Sequence, residues 1–144
     1  MNANAGFSAL GGATPTASAI ELHAKPSPDF AAKLLETTVC LLKAAAIGPV
    51  TQASSLGAED MVITHLINQH ALPIEVFVLD TGMLHAQTLT LLEQLRAQQA
   101  AHPHAPLTVY RPRQEAVVQF VEREGQGAMY QSVALRKACC GIRK

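Results

Sequence analysis

Between residues 50 and 124 the sequence changes period repeatedly. Short runs rich in β-branched and aromatic residues, VTQAS (50–54), IEVFVL (74–79) and LTVYRP (107–112), are each followed by a longer segment. In those segments, MVITHLINQH (61–70), AQTLTLLEQLRAQQA (86–100) and QEAVVQFVERE (114–124), apolar residues recur at helical spacing. IEVFVL is apolar on both faces, the pattern of a strand buried in a parallel sheet. Strands alternating with helices predict an α/β fold: a parallel sheet sandwiched by helices and joined by right-handed crossovers. In such sheets ligands bind beyond the carboxyl ends of the strands. Two loops therefore matter most, SSLGAED (54–60) after the first strand and DTG (80–82) after the second.

The flanks extend this frame. DFAAKLLETTVCLLKAAAIG (29–48) reads as a helix, with Ser27 as N-cap, Pro28 at the first helical position and Gly48-Pro49 as its end. Cys40 falls inside it and is expected to be a buried structural thiol. MYQSVALRKACCGIRK (129–144) is expected to be helical over most of its length. Residues 1–26, rich in Ala, Gly, Ser, Thr and Pro, read as a flexible N-terminal segment, leaving 27–144 as one folded domain. With 144 residues, 49% apolar and 15% charged, the chain can bury a core as a globular protein. No internal repeat is visible.

The formal net charge of zero argues against general nucleic-acid binding, which needs a basic footprint. Charge is uneven, however. No acidic residue follows Glu124, while Arg136, Lys137, Arg143 and Lys144 do, so the C-terminal end is a local positive patch suited to phosphate or sulfate, or simply a solvated helix end. MNANAGFSALGG lacks the basic and apolar regions of a secretory signal. No apolar run approaches the ~18 residues of a membrane span. Three cysteines, two of them adjacent, form no disulfide framework and suit a reducing, cytoplasmic setting.

SSLGAED stands where a phosphate loop would stand. Ser54 and Ser55 offer hydroxyls, Gly57 allows a tight turn, and the following helix directs its positive dipole end at the loop. It matches neither G-x-x-x-x-G-K-[ST] nor G-x-G-x-x-G. A serine-rich helix cap is the plainer reading, with Glu59 and Asp60 complementing the dipole. Asp80 could receive a ribose hydroxyl or a nucleobase donor, or cap the next helix; Gly82 permits close approach. Tyr110, Arg111 and Arg113 close the third strand, where an arginine could meet phosphate or lie on the surface. His102 and His104 could form half of a metal site in a Pro- and Ala-rich loop. His85 could face a ligand or begin a helix, and His65 and His70 need no special role.

Cys139 and Cys140 stand side by side. Consecutive Cα atoms lie about 3.8 Å apart, whereas a disulfide wants roughly 4.4–6.8 Å, so a bridge between them would be strained. A tetrahedral zinc or a cubane iron–sulfur cluster takes about four thiolates. This pair is half of such a site, or incidental.

SSLGAEDMV, VFVLDTGMLH and YQSVALRKACCGIRK, in that order, resemble the assimilatory adenylyl-sulfate and phosphoadenylyl-sulfate reductases, from about residue 30 to Lys144. The resemblance implies an adenine-nucleotide α-hydrolase-like, PP-loop type of α/β fold. It implies that Ser54, Ser55 and Gly57 belong to a modified PP-loop around a phosphosulfate, and that Leu79, Asp80, Thr81 and Gly82 line an adenosine pocket. Cys139 and Cys140 would be two of the ligands of a [4Fe-4S] cluster, the paired form being typical of members that use adenosine 5′-phosphosulfate (APS) rather than its 3′-phosphorylated form (PAPS). Lys144 would lie between cluster and phosphosulfate, offsetting negative charge on both. Where the family's DTG loop commonly continues with arginine, this chain has Met83.

The implied reaction is attack of a cysteine thiolate on the sulfonate sulfur. AMP leaves, and thioredoxin or glutaredoxin reduces the S-sulfocysteine to release sulfite. The family continues for roughly another hundred residues, which carry a C-x-x-C pair and the catalytic cysteine. This chain therefore reads as an N-terminal portion without the nucleophile, Cys40 matching neither position; a homo-oligomer is possible. The alternatives are a PAPS reductase, a PP-loop ATP pyrophosphatase (whose relatives resemble S-G-G-x-D-S at the first loop), and an inactive nucleotide-binding remnant.

Overall fold

β2 (Glu75–Leu79) lies between β1 (Thr51–Ser54) and β3 (Leu107–Tyr110), and both pairings are parallel. Parallel neighbours need long crossovers, which the helical segments supply. A computed structural model describes residues 25–144. It contains α1 (Phe30–Ile47), α2 (Ala58–Gln69), α3 (Ala86–Gln99), α4 (Gln114–Glu124), a 3₁₀ turn (Ala128–Tyr130) and α5 (Val133–Arg143). The expected α/β architecture, a parallel sheet flanked by helices, is what the chain forms. The segment 1–26 expected to be flexible lies almost wholly outside the described residues.

Register sets the geometry of the functional edge. Ser54 pairs with Val78, and Leu79 pairs with Tyr110. The strands thus end nearly level, and SSLGAED, DTG and Arg111 emerge together.

Burial of β2 alternates. Val76 and Val78 are buried, and Glu75, Phe77 and Leu79 are half-buried. Ile74, Val76 and Val78 share one face, by the two-residue period of a strand. Val78 packs with Leu56, Leu92 and Leu95; Ile74 packs with Ile67, Leu72 and Ala105. On the other face, Phe77 meets Tyr110 edge-on at 5.7 Å, and Glu75 accepts a hydrogen bond from Thr108. An apolar run does not reveal which face opens onto a cleft, and here it is the face of Phe77 and Leu79.

α4, the 3₁₀ turn and α5 bury a separate cluster of Phe120, Ala128 and Cys139. α5 starts at Ser132, whose hydroxyl accepts from the Leu135 amide at 3.1 Å, the side-chain cap expected at such a start.

Two expectations at α1 are corrected. The helix begins one residue beyond Asp29, which is its N-cap position, rather than at Pro28. Cys40 is exposed, not buried. Leu41 and Ala45 pack toward the core, while Leu35, Val39 and Leu42 lie exposed. Helical periodicity announces an apolar stripe, not what covers it.

Two outcomes follow. Under native conditions Cys40 should react with a thiol reagent at least tenfold faster than buried Cys139, read by mass spectrometry of labelled peptides. Ile67→Ala, at a fully buried position, should cost about 3 kcal/mol in urea unfolding.

Candidate functional site

The loop after β1 is held by its own polar groups. Ser54 Oγ accepts from the Leu56 amide at 3.2 Å, and Ser55 Oγ accepts from the Gly57 amide at 3.3 Å. The Ser55 amide and hydroxyl both donate to Asp60 Oδ2, at 2.7 and 2.6 Å. Asp60 therefore does more than complement the α2 dipole: it clamps Ser55. The Ser55 hydroxyl, and then its amide, hold the Asp60 carboxyl below its usual value of 3.8.

The tight turn was expected at Gly57, but Gly57 has an ordinary φ of −68°. Leu56 takes the left-handed conformation, with φ +66°, and is buried. A branched side chain held at positive φ is a local strain that core packing must offset. Gly57 matters instead for space, since a Cβ there would lie 3.2 Å from Ser55 Oγ.

At the end of β2, Asp80 is 8% exposed and both its oxygens are engaged. Oδ1 accepts from the Gly82 amide at 3.0 Å, an Asx turn. Oδ2 accepts from Arg111 Nε at 3.0 Å. Asp80 does not cap α3, whose N-cap is His85 without a side-chain bond. Gly82 has φ +72°, a conformation that glycine adopts without steric cost.

A cleft of about 340 Å³ opens between the two loops, lined by Ala53, Ser54, Ser55, Asp60, Phe77, Val78, Leu79, Thr81, Leu84 and Lys144. A second cavity of about 310 Å³ is lined by Asp80, Thr81, Gly82, Arg111, Gln114 and Arg143, among others. Ser54, Ser55, Leu79, Thr81 and Lys144 thus meet at one cleft. Asp80 and Gly82 belong to its neighbour, and Thr81 borders both. Gly57 lines neither.

Cys139 and Cys140 lie on α5; Cys139 is buried and Cys140 half-buried. Cys139 borders a groove of about 100 Å³ with Met83, Phe120, Met129 and Arg143. As soft thiolate donors the pair suits an iron–sulfur cluster in kind but not in number. Among the described residues no group of three or more Cys, His, Asp or Glu could hold a metal ion. His102 and His104 pack edge-on at 5.4 Å and belong to no such group.

Two arginine contacts escaped the sequence. Arg111, expected to meet phosphate or lie on the surface, is exposed and also pairs with Asp80. Arg143, read only as part of a basic patch, donates from Nη1 to the Thr81 carbonyl at 2.7 Å. No local signal marks a bond between residues so far apart in the chain.

Polar loops gathered at the carboxyl edge of a parallel sheet stand where α/β proteins of this architecture commonly bind ligands. Residues 49–144 match the phosphoadenosine phosphosulfate reductase domain, and the chain belongs to that family. It is 48% identical over 92 residues to the adenosine 5′-phosphosulfate reductase of Neisseria meningitidis serogroup A, covering 64% of this chain and 36% of that protein. It is 41% identical over 122 residues to the enzyme of that name from Burkholderia cepacia, covering 82% and 46%. For Allochromatium vinosum the identity is 39% over 119 residues, covering 83% and 43%. The chain thus spans less than half the length of these relatives. Among the described residues no helix is long and apolar enough to cross a membrane.

Asp60→Asn should lower stability at neutral pH by about 1 kcal/mol in urea unfolding, one charge-assisted bond discounted for partial exposure. Because the folded carboxyl titrates below 3.8, its contribution is complete above that pH and is lost as pH falls through the lower folded value. The gap between wild type and variant should close there. Gly82→Ala should cost about 1–2 kcal/mol from the left-handed backbone alone.

Proposed function

We propose that this chain is the nucleotide-binding part of an adenosine 5′-phosphosulfate reductase. The observation that carries the reading is the cleft at the strand ends, which Ser54, Ser55, Thr81 and Lys144 all line. The names of the relatives support it. Ser54, Ser55 and Gly57 would form the loop about the phosphosulfate. Leu79, Asp80, Thr81 and Gly82 would form the adenosine side. Phe77 and Leu84 add an apolar wall on which a base could rest.

The positive N-terminus of α2 and the Lys144 ammonium both favour an anion between them. An approach by the phosphosulfate would compete with the Ser55–Asp60 clamp for the serine hydroxyl. Lys144 would balance charge developing on the leaving phosphate as the S–O bond breaks.

Cys139 and Cys140 would supply one side of a [4Fe-4S] ligand set, the remaining ligands coming from further polypeptide. When bound, that group supplies negative charge and a rigid anchor beside the substrate, and Lys144 would offset its charge. The pair favours APS over PAPS as substrate. The attacking thiolate would likewise come from further polypeptide, since Cys40 is on α1 and borders none of these cavities. Attack on the sulfonate sulfur would expel AMP and leave an S-sulfocysteine. A dithiol such as thioredoxin or glutaredoxin, in a reducing cytoplasm, would then release sulfite and become a disulfide.

Calorimetry with AMP and APS tests the reading. Saturable binding in the micromolar to millimolar range is expected, weakened roughly tenfold by Lys144→Ala, one charge-assisted contact. Absence of binding at millimolar nucleotide would overturn it. With ATP and Mg²⁺ no pyrophosphate should be released, and with APS and reduced thioredoxin this chain alone should yield no sulfite.

A further inference from the structure

We propose that Arg143 is a positioning residue that latches the cysteine helix to the turn at the end of β2. Through it, the cysteine pair and the nucleotide cleft are energetically coupled. The coupling rests on the reading of the cleft given above; the latch itself does not.

α4 and α5 bury an apolar cluster of their own, apart from the two that underlie the sheet. Among the described residues, α5 is joined to the loops at the strand ends by a hydrogen bond from Arg143 Nη1 to the Thr81 carbonyl, 2.7 Å, between positions 62 residues apart. The acceptor is itself held firmly. On one side Asp80 is pinned by the Gly82 amide and by Arg111. On the other Gly82 is left-handed, and a Cβ there would stand 3.6 Å from Arg143 Nη1. A carbonyl presented by so constrained a turn gives a directional anchor, and a guanidinium offers several fixed donors to meet it.

The position of Arg143 makes this anchor consequential. It lies one helical turn beyond Cys139, so the two share a face of α5, and both border the groove beside Phe120. Arg143 also borders the cavity of Asp80 and Arg111. The next residue, Lys144, reaches the cleft that Thr81 also lines. A displacement of the end of α5 would therefore move Lys144 in the cleft and uncover Cys139 together. A ligand that braces Thr81 and Lys144 must, by linkage, also restrain the cysteine pair, and restraint of the pair must favour the ligand equally.

The test is thiol labelling resolved by mass spectrometry, with exposed Cys40 as internal reference, on wild type, Arg143→Ala, Arg143→Lys and Ile67→Ala. The last is a destabilised control in a different apolar cluster. Without nucleotide, Arg143→Ala should label Cys139 about tenfold faster than wild type, a typical coupling magnitude. Arg143→Lys should fall between them, and Ile67→Ala should leave the ratio of Cys139 to Cys40 near that of wild type. With saturating AMP, labelling of Cys139 and Cys140 should slow in wild type but not in Arg143→Ala, whose AMP affinity should fall by a similar factor.

Wild-type labelling in Arg143→Ala, or equal acceleration in Ile67→Ala, would overturn the latch. Unchanged AMP protection in Arg143→Ala would overturn the coupling. If wild type binds no AMP, the reading of the cleft and the coupling fall together, and the nucleotide-free comparison still decides the latch.

Discussion

Parallel pairing of β2 with a strand on each side is the constraint from which the functional edge follows. A parallel ladder cannot be closed by a tight turn, so each strand must be followed by a helix that returns the chain to the opposite edge. Every strand then delivers its carboxyl end to the same side. The observed register, Ser54 beside Val78 and Leu79 beside Tyr110, brings those ends nearly level. Burial of Val76 and Val78 beneath the sheet holds that register, since a one-residue slip would turn both toward the cleft and Phe77 into the core.

The polar edge is ordered by short reciprocal bonds. Serine hydroxyls satisfy amides of the first loop, Asp60 holds Ser55, and Asp80 is shared between a turn amide and Arg111. Such a network holds each loop in one conformation, with the Ser55 amide and hydroxyl already committed to Asp60. Strain at Leu56 sits inside this network and is offset by burial of its side chain among Val78, Leu92 and Leu95. Membership of the phosphoadenosine phosphosulfate reductase family accords with loops of this kind in this order.

The cysteine helix obeys a different logic. It is amphipathic, and its apolar side, Cys139 included, packs on Phe120 and Ala128 rather than on the sheet. Its basic end is turned back to the strand ends, where Arg143 and Lys144 meet the two cavities. Soft donors and cations are thus gathered on one element, close to the strand ends. Two thiols alone do not complete the ligand set of an iron–sulfur cluster, and the chain spans less than half the length of these relatives.

The sequence by itself determined the order of strands and helices, because the change between two-residue and helical periods is a local property. It also marked the loops at the strand ends, since parallel topology assigns them a place before any coordinates exist. The helix-start serine of α5 was legible only in retrospect, and Ser27 and Gly57 were assigned roles that Asp29 and Leu56 took. What only the tertiary structure decided depends on partners distant in the chain. Periodicity placed Cys40 on a helix but could not say that its side would stay uncovered. Composition placed Arg143 in a basic patch but could not say that it would meet the Thr81 carbonyl. Local pattern is written in spacings of a few residues, whereas burial and long-range hydrogen bonds depend on how whole elements come to rest against one another.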